Sequence, residues 1–167
     1  MGQSTNGILA YGYDFGDNEP PVAGLDEYES WRPADFDAAP RSDEYYDFDF
    51  RNWAERKLLA AAGHPIDGDN EYFDPEDVAK HWGVWFHSYC SGESPMYMLI
   101  THEITVYRGD TKDIDFAALE RQRVEEDWDG KLAAVLKVLG TEDLVYRTYE
   151  KDGQPQKPRW LLASYRG

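Results

Sequence analysis

Histidine and cysteine are the side chains of this sequence best suited to chemistry near neutral pH, and two of the histidines lie near the single cysteine. His87 and Cys90 occur in one β-rich segment, and His102 occurs in the next one. If these segments pair as neighbouring strands, the two histidines can meet across the sheet. A pocket near His87, Cys90 and His102 would then suit a small enzyme or a ligand-binding protein.

The spacing of these residues favours structural roles. No pair of histidines shows the HxH or HExxH spacing of metal sites, and free cysteine is among the residues most often buried. The sequence also lacks the GxSxG, GxxxxGK[ST] and GxGxxG motifs of acyl-transfer and nucleotide enzymes. We therefore predict no catalytic residue, no metal site and no cofactor, and the pattern leans away from an enzyme without excluding one.

Acidity is the strongest compositional feature, with 33 acidic against 17 basic residues and a net charge of −16. Residues 1–50 carry −10 of this charge, and residues 151–167 carry +3. A charge of this size repels phosphate backbones and anionic membranes. We therefore expect neither nucleic acid nor a membrane as a direct partner, and a basic protein as the favoured one.

Residues 14–50 alternate acidic and aromatic side chains, and four prolines interrupt any long helix or strand there. Two interpretations stay open: an extended arm whose aromatic rings pack on the domain, or a segment that binds a partner. The candidate partner-binding residues are Trp31, Asp35, Asp37, Asp43, Glu44, Tyr45, Tyr46, Asp47, Phe48 and Asp49.

Apolar alternation and β-branched residues predict strands at 6–13, 84–90, 96–107, 144–150 and 160–165. Ile8 and Ala10 fall on one face of the first strand, and Leu9, Tyr11 and Tyr13 fall on the other. Turn-forming residues between the second and third segments predict an antiparallel hairpin. The strand order stays open.

Helical periodicity predicts helices at 49–62, from Asp74 to Trp82, and at 115–139. The last segment is either one long helix or two, with Gly130 as its weak point. Carboxylates spaced by three and four residues on such a helix lie about 5–6 Å apart at Cβ, and could resemble a nucleic-acid backbone. The acidic residues in question are Glu120, Glu125, Glu126, Asp127 and Asp129.

The 167 residues, 41% hydrophobic and 15% aromatic, suffice for one packed domain. We predict an α+β fold with a mainly antiparallel sheet of about four strands, two or three helices packed on it, and an acidic N-terminal arm. Residues 1–13 would form the first strand, 14–50 the arm and 51–167 the rest of the domain. One cysteine, no signal peptide and no long apolar run favour the cytoplasm.

Three segments resemble small uncharacterised acidic proteins of actinobacteria and their phages: NGILAYGYDFG at 6–16, HSYCSGESPMY at 87–97 and WLLASY at 160–165. The resemblance brings no established reaction. It implies a setting of host takeover or counter-defence, in the host cytoplasm, for a protein without a cofactor.

Charge and resemblance together predict an inhibitor that occupies the basic, nucleic-acid-binding surface of a host protein, as a DNA mimic would. Two other classes stay open. One is the small enzyme or ligand-binding protein with a pocket near the histidines, and the other is a structural or virion-associated protein. The oligomeric state is not predicted.

Overall fold

A computed structural model describes residues 5–16, 50–64, 76–90, 95–146 and 153–166 of the chain. The predicted α+β class with a four-stranded sheet is confirmed in this part of the chain. In chain order its elements are β1 (Thr5–Gly16), α1 (Phe50–Ala61), α2 (Glu76–Trp82), β2 (Trp85–Cys90), β3 (Pro95–Val106), α3 (Phe116–Glu125), α4 (Trp128–Leu139) and β4 (Arg159–Arg166).

The strands form one sheet in the order β4-β1-β3-β2, with antiparallel pairing along each of these three contacts. The two outer strands meet at one parallel pair, Cys90 with Tyr165, so the sheet curls and closes on itself. The predicted hairpin is confirmed, because β2 and β3 pair from Trp85 with Ile100 to Cys90 with Pro95.

One face of the curled sheet, which we call the inner face, carries a small apolar cluster. Its buried members come from the central strands, and they are Ile8, Ala10, Met98 and Ile100. Partly buried side chains of the outer strands complete it, namely Trp85, Tyr89, Leu161, Ala163 and Tyr165. The sheet therefore encloses a core of its own on the side away from the helices.

The opposite face, which we call the helix-covered face, packs against α1, α2 and α4. Tyr11, Tyr13 and Phe15 of β1 belong to this larger core, which confirms the predicted division of the two faces of β1. Each buried large side chain contributes on the order of 1.5–3 kcal/mol through the hydrophobic effect. In the described part of the chain, no helix is long and apolar enough to cross a membrane.

β3 contains one extra residue between the partners of Tyr11 and Gly12, and β1 contains one, Phe15, between the partners of Met98 and Tyr97. Tyr11 pairs with His102 and Gly12 pairs with Ile100, so Thr101 forms a bulge between the two pairs. Side chains alternate between the faces of a sheet, and an extra residue reverses that alternation for every residue after it. The bulge therefore decides on which face the second half of β3 places its side chains.

The predicted segment 115–139 forms two helices, and the predicted weak point at Gly130 is wrong. The chain breaks at Asp127, whose φ of 51° is left-handed and whose side chain accepts a hydrogen bond from Gly130 N at 3.2 Å. Gly130 lies inside α4, where an added Cβ would lie 2.2 Å from Asp127 Oδ2. Because Gly130 has no side chain, the Asp127 carboxylate has room to cap the N-terminus of α4. Gly130 therefore does not break the helix.

Two sequence predictions concern the edges of the described ranges. Of the predicted strand 144–150 the structure describes only residues 144–146, where Val145 forms an isolated antiparallel bridge with Pro155. β1 extends to Gly16, and Phe50 begins α1 and is fully buried. Both ends of the predicted arm, 14–16 and residue 50, are therefore parts of the packed domain.

Candidate protein-binding surface

The predicted partner-binding residues of the arm lie outside the part of the chain that the structure describes. These residues are Trp31, Asp35, Asp37, Asp43, Glu44, Tyr45, Tyr46, Asp47, Phe48 and Asp49. The described part holds two groups of polar side chains with organised contacts. One lies on the inner face, and the other lies at the surface formed by α3, α4 and β4.

His87 and His102 do not meet, because the bulge at Thr101 places them on opposite faces. His87 pairs with Met98 of the inner face, whereas His102 pairs with Tyr11 of the helix-covered face. The prediction that the two histidines could form one site across the hairpin is therefore wrong.

Each histidine has a different partner instead. His87 Nδ1 lies 2.6 Å from Glu103 Oε2, and this close contact is the main cause that lowers the pKa of Glu103. The ring of His102 stacks on Trp128, with 5.0 Å between centroids and 16° between planes. Burial lowers the pKa of His102 and outweighs the opposite effect of the Glu126 and Glu103 charges. His102 is therefore held as a neutral ring in an aromatic cluster.

Cys90 is exposed at the end of β2, so the prediction of a buried cysteine is wrong. Its φ of 79° lies in the left-handed region, which residues other than glycine rarely adopt. The preceding residue, Tyr89, donates a hydrogen bond from its hydroxyl to Asp14 Oδ1 at 2.8 Å. Burial, followed by the charge of Asp14, raises the pKa of Tyr89. The hydroxyl thus stays protonated and fixed to the carboxylate.

Three aromatic residues from separate elements meet beneath α3 and α4. Tyr11 of β1 lies 5.6 Å from Trp128 of α4 and 5.2 Å from Trp160 of β4, measured between ring centroids. The two tryptophans lie 6.2 Å apart in an edge-to-face arrangement. Such tilted and edge-to-face pairs are the favoured geometries for aromatic contacts. We call Tyr11, Trp128 and Trp160 the aromatic trio.

Every member of the aromatic trio donates a hydrogen bond to a different surface carboxylate. Trp160 Nε1 donates to Glu120 Oε1 at 2.9 Å, and Trp128 Nε1 donates to Glu126 Oε2 at 3.0 Å. The Tyr11 hydroxyl donates to Asp129 Oδ1 at 2.7 Å. Two buried rings, Tyr11 and Trp128, and the partly buried Trp160 thus fix the positions of three acidic groups at the surface.

Arg123 links two of these carboxylates. Its Nε donates to Glu120 Oε2 at 2.8 Å, and its Nη1 forms a short ion pair with Asp129 Oδ2. The guanidinium also lies over the Tyr11 ring, 5.6 Å from its centroid. Arg123 therefore neutralises part of the local negative charge. It also holds the carboxylates of Glu120 and Asp129 close to the aromatic trio.

Hydrogen bonds favour the ionised form of two of these carboxylates, Glu120 and Glu126. The bonds from Trp160 and Arg123 lower the pKa of Glu120, and those from Trp128 and Gln122 lower the pKa of Glu126. Burial and the hydrogen bond to Asp129 raise the pKa of Tyr11 to about 12, so Tyr11 remains a donor. Glu120 and Glu126 are therefore ionised at neutral pH.

The fixed carboxylates belong to a larger exposed region, residues 110–131, which we call the acidic surface. It contains eight acidic and four basic residues, and all eight acidic side chains are exposed. Two large apolar side chains lie among them, Phe116 at 50% and Val124 at 70% exposure. Only Leu119 of α3 is buried, and Phe116 packs edge-to-face on Trp160 at 6.0 Å between ring centroids while half of its side chain stays exposed.

The sequence identified the acidic residues of α3 and α4 but missed what holds them. Trp160 lies 40 residues after Glu120, and Tyr11 lies 118 residues before Asp129. Their meeting depends on β1 lying between β3 and β4, an order that local patterns do not predict. Among the described residues, no group of three histidine, cysteine or acidic side chains could hold a metal ion.

Comparisons of the chain with protein-family models, curated proteins and solved structures found no match.

Proposed function

We propose that this protein is a DNA-mimic inhibitor that binds the basic, nucleic-acid-binding surface of a partner protein, in phage counter-defence or host takeover. The observation that carries the proposal is the set of carboxylates held by the aromatic trio. Side chains that are already fixed lose less conformational entropy on binding than free ones. The acidic surface therefore offers ordered negative charge to lysine and arginine groups that otherwise contact phosphates.

The apolar side chains of the acidic surface add a second kind of contact. Phe116 and Val124 lie on α3 between carboxylates and are largely exposed. Protein interfaces commonly combine a central apolar contact with a polar rim. Charge then steers the partner and speeds association, while the apolar contacts slow its release.

The acidic-aromatic segment would extend this surface toward the same partner. Its role is best tested by substitution, because a deletion of residues 14–50 would remove the end of β1 and the buried Phe50. A suitable full-length variant replaces six carboxylates by amides, at Asp35, Asp37, Asp43, Glu44, Asp47 and Asp49.

The test is retention of known nucleic-acid-binding proteins from an actinobacterial extract on the immobilised full-length protein. We expect proteins bound at about 0.05 M salt to be released at about 0.5 M salt, because screening weakens contacts between exposed charges. Duplex DNA added at low salt should displace the same proteins, since both compete for one basic surface. Retention that resists both salt and DNA would contradict the proposal, as would no retention at all.

A pair of variants with equal net charge separates the acidic surface from general acidity. The variant D113N/E125Q changes one exposed carboxylate in the segment before α3 and one at the last residue of α3, and E142Q/D143N changes exposed carboxylates after α4. We expect the first pair, and the six-residue variant of the arm, to weaken retention more than the second. Equal weakening by both pairs would mean that only net charge matters, and would contradict the assignment to the acidic surface.

A further inference from the structure

A cavity of about 560 Å³ opens between the end of β2 and β4, on the opposite side of the sheet from the aromatic trio. Its volume lies within the range of about 300–1,000 Å³ that is typical of sites for small organic molecules. Among the residues that line it are Asp14, Tyr89, Cys90, Met98, Leu161 and Ala163. Neither His87 nor His102 is among the lining residues.

The walls of this cavity have two chemical characters. Met98 is 1% exposed and joins Leu161 and Ala163 in the inner apolar cluster, so these side chains provide an apolar wall. Asp14 provides a carboxylate beside it. A pocket with one acidic group next to an apolar wall suits a ligand with one cationic group and a short apolar body.

The carboxylate of Asp14 is held in place from several directions. Oδ1 accepts hydrogen bonds from the Tyr89 hydroxyl at 2.8 Å and from Gly16 N at 3.0 Å. The main-chain oxygen of Asp14 accepts a third from Gln156 Nε2 at 2.9 Å. Both side-chain bonds from the described residues use one oxygen, so within this part of the chain Oδ2 keeps its capacity to accept from a ligand.

Arg159 is the basic residue of β4 whose partner in β1 lies closest to Asp14, and its side chain contacts other residues. Arg159, which pairs with Gly12, lies over the Tyr146 ring at 4.5 Å from its centroid. Its Nη1 donates to Gln156 Oε1 at 3.0 Å. Asp14 forms no salt bridge with any basic residue in the described ranges.

We propose that this cavity binds a small primary amine, with its ammonium group on Asp14 and its alkyl chain against Met98, Leu161 and Ala163. The net charge of −16 favours the approach of cations, and an ammonium group provides the donors that a fixed carboxylate lacks. The site is independent of the acidic surface, which lies on the other side of the sheet. The two proposals can therefore fail separately.

Cys90 provides a direct test, because it is the only cysteine, is exposed and lines the cavity. The measurement is the rate at which a thiol reagent modifies Cys90 in the full-length protein, with and without hexylamine. At a hexylamine concentration about ten times its dissociation constant, we expect modification to slow roughly tenfold. Hexan-1-ol and hexanoate, matched in chain length, should protect far less.

Two variants that remove the same charge locate the effect. D14N should abolish protection by hexylamine, whereas D143N, which changes an exposed carboxylate outside the cavity, should leave it unchanged. A folded D14N protein that is still protected would overturn the proposal. So would equal protection by hexan-1-ol or hexanoate.

A second measurement needs no variant and so does not depend on D14N folding. In wild-type protein labelled at the methionine methyl groups, we expect the Met98 signal to shift on titration with hexylamine. The shift should saturate, and hexan-1-ol should produce much less of it. An unchanged Met98 signal together with unprotected Cys90 would exclude the site.

Discussion

The indole Nε1 of Trp160 in β4 lies 2.9 Å from Glu120 Oε1 in α3, and this hydrogen bond joins the sheet to a helix that has only one buried residue of its own. α3 covers little of the apolar core, so polar contacts of this kind determine where it lies. The acidic surface consequently depends on side chains in β1 and β4 as well as on its own residues.

A double-mutant cycle between W160F and E120A measures this contribution. Phenylalanine keeps the aromatic packing of Trp160 but removes its donor, so we expect a coupling free energy of about 1 kcal/mol between the two sites. Urea unfolding of the four proteins provides the measurement. The matched cycle of W160F with E125A should give no coupling, and coupling of equal size in both cycles would contradict the expected role of the bond.

Two of the glycines of β1, Gly7 and Gly12, should respond to alanine in different ways. An added Cβ at Gly12 would lie 1.9 Å from Leu99 O, whereas one at Gly7 meets nothing within 4 Å. We expect G12A to destabilise the protein by about 3 kcal/mol or more, because β3 would have to move away. G7A should be neutral or slightly stabilising, since alanine has less freedom to lose on folding. Thermal unfolding of both variants distinguishes these outcomes, and a benign G12A would contradict the close pairing of β1 with β3.

His102 should make the protein less stable in mild acid. Burial lowers its pKa in the folded state, so unfolding takes up a proton below the ordinary histidine pKa of about 6.5. This part of the stability is present above about pH 6.5 and is lost as the pH falls through the lowered folded pKa. H102F keeps a ring against Trp128 but cannot titrate, and should reduce the loss of stability between about pH 6.5 and pH 5.

The control for this measurement is H81Q, which changes an exposed histidine of α2. Comparing the free energy of unfolding of H102F and wild type across the pH range isolates the effect of His102. That difference should be the same in the H81Q background. A difference that does not vary with pH would show that His102 is not held neutral by burial.

The effect of a substitution at Gly130 on the free energy of unfolding should depend strongly on the residue at position 127. Alanine at a helix interior is favoured over glycine by about 1 kcal/mol, and loss of an N-terminal cap costs about 1 kcal/mol. G130A displaces the Asp127 carboxylate and gains the helix former, so its net effect should be close to zero. In the D127G background there is no cap to displace, and G130A should stabilise by about 1 kcal/mol. An identical effect in both backgrounds, measured by urea unfolding, would rule out the displacement.

The elements that local sequence predicts well are those whose burial repeats with a regular period. Ile8 and Ala10 alternate with Tyr11 and Tyr13, and both faces of β1 are occupied as expected. The hairpin of β2 and β3 follows from two β-rich runs around a turn. The position of the break between α3 and α4 escapes such reasoning, because the apolar spacing continues through Asp127, where a single residue takes a left-handed conformation.

From the sequence, only the carboxylates of the candidate surface could be predicted, and not the aromatic side chains that hold them. Glu120, Glu126 and Asp129 stand out as charged residues in a helical segment. Their donors are ordinary aromatic residues in distant strands and in α4, and nothing in their local sequence marks them. Asp14 was missed for a related reason, since its partner Tyr89 lies 75 residues away and joins it only when the sheet closes.

The bulge at Thr101 also bears on changes in chain length. Ile100 before it and Glu103 after it both lie on the inner face, although an uninterrupted strand would separate them. A deletion of Thr101 would restore an uninterrupted strand and leave both neighbours on the faces they already occupy. A deletion at any other residue of β3 would move the side chains of part of the strand to the opposite face of the sheet, unless the bulge formed at another position. β3 therefore has a single internal point at which one residue can be lost without reversing a face.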